Sequence, residues 1–208
     1  CSYLAGFYEH DMASALWELS GEDGLLDAYK KELALHGKTP DEMKPVVRIT
    51  TSDTGSGGAN IFPMLVSGKE NITISLGSPL RLGHRNGRSL SEFDDQLKLL
   101  YGKYQLAAGN LVKLLKVEVM NPVNCMEGGM DKLGIARKYA AEAVDLFVAQ
   151  YGEAPCTAHD IYFGISEILY MLACEGEEGG RIARMEESIA RALSVNWREY
   201  DVPGAYRW

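Results

Sequence analysis

From Leu90 onward, apolar side chains recur at alternating steps of three and four: Leu90, Phe93, Leu97, Leu100, Tyr104, Ala107, Leu111 and Leu114. A seven-residue period of that kind puts them in one seam along a helix. Ser89-Leu90-Ser91-Glu92 supplies the start, because the serine accepts from the third helical amide while the glutamate reaches back to the serine's own amide. The seam lapses at Glu118, and Asn121-Pro122 follows, where proline cannot continue the ladder. The pattern predicts a helix over 89–119, about 45 Å long at 1.5 Å per residue. Such a helix needs cover along its whole length.

The same reading extends to the rest of the chain. Leu4, Phe7, Tyr8, Met12, Leu16 and Leu19 stand at helical spacing and predict a helix over 3–19, closed by Ser20-Gly21. A shorter helix is expected from Leu25 to Leu35, with Gly37 at a left-handed cap. Val46 to Thr51 is β-branched and reads as a strand, and Asn71 to Leu76 alternates like a second one. Between them, Ile61 to Val66 reads as a helical turn interrupted by Pro63; a connection this long leaves a parallel crossover open. After a turn over 121–129, helices are expected over 131–151, from Thr157-x-x-Asp160 to Cys174, and over 181–197. Leu146 belongs to the expected core of the first of these. The tail from Tyr200 reads as a docked strap, since its aromatics would be costly in water.

The fold class that follows is α+β and predominantly helical. A C-terminal antiparallel bundle of about four helices over 89–208 has the long helix at its centre, and 1–88 carries a small helix and two-strand portion, the whole forming one compact unit.

Composition narrows the function classes. The 208 residues are 46% apolar and 24% charged, ordinary for a globular protein with a substantial core. The net charge is −8, with no basic run longer than Lys30-Lys31 or Arg137-Lys138, which argues against a nucleic-acid partner. No apolar run approaches the roughly 18 residues that a membrane span requires. Cysteines at 1, 125, 156 and 174 form no C-x-x-C pair and read as free thiols of a cytoplasmic protein. Cys1 in place of an initiator methionine reads as the start of a fragment.

Two loops carry candidate chemistry. Thr51 to Asn60 is rich in hydroxyls and glycines, so that Thr54, Ser56 and the amide of Gly57 offer donors to an anion; it lacks the lysine of a P-loop, and Asn60 breaks the dinucleotide pattern. Arg81, His84, Arg85 and Arg88 form a basic loop in which Arg85 and Arg88 can clamp a phosphate or carboxylate, with His84 as an acid or base near neutral pH. A weaker candidate is metal at Cys156-x-x-His159, which has no second ligand pair. No motif names a cofactor, and nothing pairs a nucleophile with a base.

The expected function is therefore a non-catalytic structural or assembly subunit, a homo-oligomer or part of a larger assembly. The alternative is a small enzyme or ligand binder acting on an anionic metabolite held by loops 53–60 and 81–88.

Overall fold

A computed structural model describes residues 2–9, 12–19, 23–39, 43–52, 59–67, 72–77, 79–82, 90–177 and 179–205. It is α+β, with six α-helices among the described residues and an antiparallel sheet. No described helix is long and apolar enough to cross a membrane.

The sheet is larger than the sequence suggests. Strands β1 (Ser2–Glu9), β2 (Met12–Glu18), β3 (Met43–Ser52), β4 (Ala59–Ser67) and β5 (Ile72–Ser75) lie side by side in that order, and β6 (Leu80–Leu82) pairs with the start of β4. Every pairing is antiparallel, so the crossover left open between the two expected strands is absent and β4 occupies the space instead.

The expected helix over 3–19 is the β1–β2 hairpin, and the expected helical turn at 61–66 is the centre of β4. At β4 the cause is visible. Ile61, Phe62, Met64 and Leu65 are all buried, because consecutive residues of β4 face helices on opposite sides of the sheet. A strand covered on both faces loses its alternation and reads like a helical segment. Pro63 is tolerated because its ring nitrogen falls between the reach of β5, which pairs from Met64, and that of β6, which ends at Ile61. Its carbonyl still accepts from Leu76 N at 2.9 Å.

On the first face of the sheet, Val47, Ile61, Leu65 and Ile74 meet the main core. That core includes α1 (Asp27–Leu35), α2 (Leu90–Leu115) and α5 (Ala158–Cys174). Leu100, Tyr104, Ala107, Leu111 and Leu114 of α2 are buried as the heptad pattern requires; the side chains of Leu90, Phe93 and Leu97 lie outside the described residues. The helix stops four residues short of the expected end, and Glu118–Val119 forms β7, paired with β8 (Cys156–Thr157). On the second face, Val46, Phe62 and Met64 pack with Leu16, Val66 and Ala183 of α6 (Gly179–Ala190).

The expected turn over 121–129 is helix α3 (Pro122–Lys132), with Pro122 in its first turn, where a missing N–H costs nothing. Gly134, at φ 73°, then ends that helix, so the helix expected over 131–151 is α4 (Arg137–Tyr151) alone. Leu146, expected in the core, is exposed on its outer side. The helix expected over 181–197 is α6 followed by two 3-10 turns at Arg191–Ser194 and Trp197–Glu199. Those turns swing Trp197 and Tyr200 onto α3, where Gly128 and Gly129 leave room for the rings.

The tail is tied down as far as Gly204, whose carbonyl accepts from Asn124 Nδ2, and 206–208 lie outside the described residues. Asp201 accepts from Met120 N at 3.0 Å and Asn121 N at 2.7 Å, and Asn124 Nδ2 donates to Val202 O at 2.6 Å.

A methyl group at position 129 would overlap the buried Trp197 ring. Gly129→Ala should therefore lose about 1–3 kcal/mol of stability, the usual range for overpacking. Urea unfolding measures it, and an unchanged midpoint would mean that Trp197 is not seated on α3.

Candidate functional site

The strands gather three connections at one end of the sheet. Met12 pairs with Ser52, Thr50 with Asn60, and Ala59 with Leu82. The segments 10–11, 53–58 and 83–89 therefore all leave the sheet at that end, and 83–89 leads into the N-terminus of α2. Thr54, Ser56, Gly57, His84, Arg85 and Arg88 themselves lie outside the described residues. Two neighbours are described. Asn60 Nδ2 sits 3.5 Å from Thr50 Oγ1, and Arg81 pairs with Glu187 of α6 at 2.5 Å, so this arginine of the basic loop is engaged with an acid of the same chain.

The weak metal candidates occupy the start of α5. Thr157 and Asp160 form the capping box that their spacing predicts, and Asp160 also takes the Lys38 ammonium. Burial pushes the Asp160 pKa up; the hydrogen bonds from Lys38 and Thr157 outweigh it and hold the carboxyl below its ordinary range. His159 points inward, with Nε2 2.5 Å from the Tyr29 hydroxyl and its ring stacked on Phe163 at 4.3 Å.

Since a phenol donates far more readily than it accepts from a neutral ring, the arrangement implies a proton on Nδ1, an atom that is buried without a partner. Burial drives the imidazole down to about 3, against the pull of Asp160, so it stays neutral. Burial likewise pushes the Cys156 thiol up to about 12. Among the described residues, no three His, Cys, Asp or Glu side chains gather to hold a metal ion.

A second buried ionisable group lies between α6 and the sheet. Glu186 has no solvent exposure and pairs with Arg48 of β3. Burial lifts its carboxyl to about 7, opposed by the Arg48 charge. The sequence gives no sign of either buried polar pair. Glu186 stands next to Met185 on the inward side of α6, but Arg48 and Tyr29 come from elements distant in the chain.

A cleft of about 510 Å³ lies beside the docked tail, lined by Met120, Asn121, Asn124, Glu127, Glu153 and Gly204 among others. The amide nitrogens Nδ2 of Asn121 and Asn124 are already bonded to the tail, and the charged side chains of the lining are the carboxylates Glu127 and Glu153.

The last feature is the outer side of α2. Leu99 is 54% exposed and Leu106 66% exposed. They alternate with Gly102 and Gly109, where an added Cβ would meet nothing within 4 Å. This face lies opposite the buried seam through Leu100, Tyr104 and Leu111.

Compared with protein-family models, with curated proteins and with solved structures, the chain matches none of them.

The buried imidazole sets a pH dependence. Its folded pKa of about 3 lies below the ordinary 6.5, so the stability it confers is fully present above pH 6.5 and is lost as pH falls toward 3. Wild type should lose about 1 kcal/mol per pH unit across that window relative to His159→Phe. Glu186 contributes equally to both proteins and cancels. Urea unfolding at a series of pH values tests this, and parallel curves for the two proteins would refute it.

Proposed function

We propose that this chain is a non-catalytic structural or assembly subunit of the cytoplasm, one that packs through a helical bundle of α2 to α6 against another folded chain. The observation that carries the reading is the outer face of α2, where two leucines lie largely in water on a helix whose opposite side is buried from Leu100 to Leu114. Covering what remains exposed of each leucine gains up to about 1.5–3 kcal/mol, and a strip of exposed apolar side chains on one face of a long helix is a form that interaction surfaces take. The glycines that alternate with them, Gly102 and Gly109, let a second helix approach closely. Helix-on-helix packing of this kind requires no nucleophile, base or cofactor.

A second reading is a small enzyme or ligand-binding protein holding an anionic metabolite. It is favoured by the pairing of Ala59 with Leu82, which starts the hydroxyl-rich segment 53–58 and the basic segment 83–89 from adjacent strands. In this reading Thr54, Ser56 and Gly57 donate to the anion, Arg85 and Arg88 neutralise it, and His84 supplies acid–base chemistry.

Each reading has a direct measurement. In sedimentation, the first expects a species above the 22.9 kDa chain at micromolar concentration, and a return to chain mass in Leu106→Asp with an unchanged circular-dichroism spectrum. A wild-type chain that stays at monomer mass, or a larger species indifferent to the substitution, counts against it. The second expects inorganic phosphate to raise the thermal midpoint of wild type but not of Ser56→Ala combined with Arg85→Ala. Equal shifts in both proteins would remove the anion site.

A further inference from the structure

The outer face of α2 continues past its leucines and glycines at the same spacing. Asp95, Leu99, Gly102, Leu106, Gly109 and Lys113 follow one another at alternating steps of four and three, a second heptad seam on the side away from the core. All six are exposed. The sequence of this seam is acid, leucine, glycine, leucine, glycine, base, and it is complementary to its own reversal.

We propose that this seam pairs antiparallel with the same seam of a second copy of the chain, in the register that sets Leu99 against Gly109, Leu106 against Gly102 and Lys113 against Asp95. The proposal rests on the assembly reading above and names its partner. Leu99, Leu106 and Lys113 hold one heptad position, and Asp95, Gly102 and Gly109 hold the other. An antiparallel pair of helices sets one position against the other, so every layer matches a leucine with a glycine or a lysine with an aspartate.

A parallel pair would stack Asp95 on Asp95 and Lys113 on Lys113, which repel, and glycine on glycine, which leaves voids. The two-fold axis falls at the level of Tyr104, whose side chain is buried on the other side. In the single chain Asp95 lies 3.2 Å from Lys98, an exposed pair that Lys113 of the second copy would join or displace.

Gly109→Leu separates this register from general stickiness. Leucine is the better helix former, and position 109 faces open space, so the fold should hold or gain thermal stability. An apolar face that merely sticks would associate more strongly with the added leucine, whereas the proposed layer has no room for two. We expect the dimer dissociation constant, read by sedimentation equilibrium of the full chain over about 1 to 100 µM, to rise at least about tenfold. Asp95→Lys and Lys113→Asp should each weaken the dimer similarly, and the two combined should restore it to within about threefold, because the reversed pair is again complementary. Thermal midpoints of all variants control for folding.

Stronger association in Gly109→Leu, or no recovery in the double reversal, overturns the register while a Leu106-dependent dimer leaves the assembly reading in place. A wild-type chain that remains monomeric throughout the range overturns self-pairing altogether.

Discussion

The fold depends on the inner seam of α2 being covered. Leu100, Tyr104, Ala107, Leu111 and Leu114 fill the space between the sheet and α5, and α1 closes the same core from the other end of the chain. Tyr104 does more than fill volume. Its hydroxyl donates to the Val46 carbonyl and accepts from Met64 N at 3.2 Å, so the helix is pinned to the central β3–β4 pair by a polar contact inside an apolar layer. Burial holds that phenol well above its ordinary pKa, which keeps it a hydrogen-bond donor at any pH the protein meets. Rotating α2 by one residue would bury Lys103 or Gln105 in its place and leave the hydroxyl without partners.

Covering the sheet on its second face has a different consequence. Helix α6 brings Ala183 onto Val46, Phe62 and Met64, and with it the fully buried Glu186. A lone carboxylate there would be very costly; with Arg48 beside it the site holds either a charged pair or a neutral acid, with the balance near pH 7. Such a pair adds little to net stability compared with a well-packed apolar contact, but it is hard to satisfy in any other alignment. It therefore fixes how α6 sits on β3, while Arg81 and Glu187 repeat the connection at the rim, where water weakens it. Beyond α6 the chain closes as a clasp, with Trp197 and Tyr200 on the two glycines of α3 and Asp201 on the amides of Met120 and Asn121.

What the sequence reveals follows from this arrangement. Helix α2 was legible because only one side of it is buried, and α5 because Thr157 and Asp160 lie within one turn of each other. Strand β4 was not, since a sheet with helices on both faces replaces alternation with runs such as Ile61 to Val66, and β1 and β2 were hidden because Leu4, Phe7, Tyr8, Met12, Leu16 and Leu19 also satisfy helical spacing. Helix α3 was hidden by Gly128 and Gly129, which read as a turn until the aromatic rings that require them are in place. The pairs Tyr29–His159 and Arg48–Glu186 join distant segments, and no local spacing announces them. Of the candidate anion site, the sequence provides the residue types and the strand register provides the neighbourhood, because Thr54, Ser56, Gly57, His84, Arg85 and Arg88 all lie outside the described residues.

The glycines of α2 pose a question that the single chain does not answer. Glycine in a helix interior costs up to about 1 kcal/mol relative to alanine. At Gly128, Gly129 and Gly164 the compensation is visible, because a ring of Tyr200, Trp197 or Phe147 occupies the place of the absent side chain. At Gly102 and Gly109 there is nothing within 4 Å to make room for; the first stands between the exposed Leu99 and Leu106 and the second follows Leu106 on the same face of the longest helix. The inner seam can sustain that loss, since its buried leucines exceed it several times over. What it cannot explain is why both losses fall on one face at a spacing of one heptad. A second surface brought within a side chain's breadth of the backbone gives those two positions a reason to remain bare.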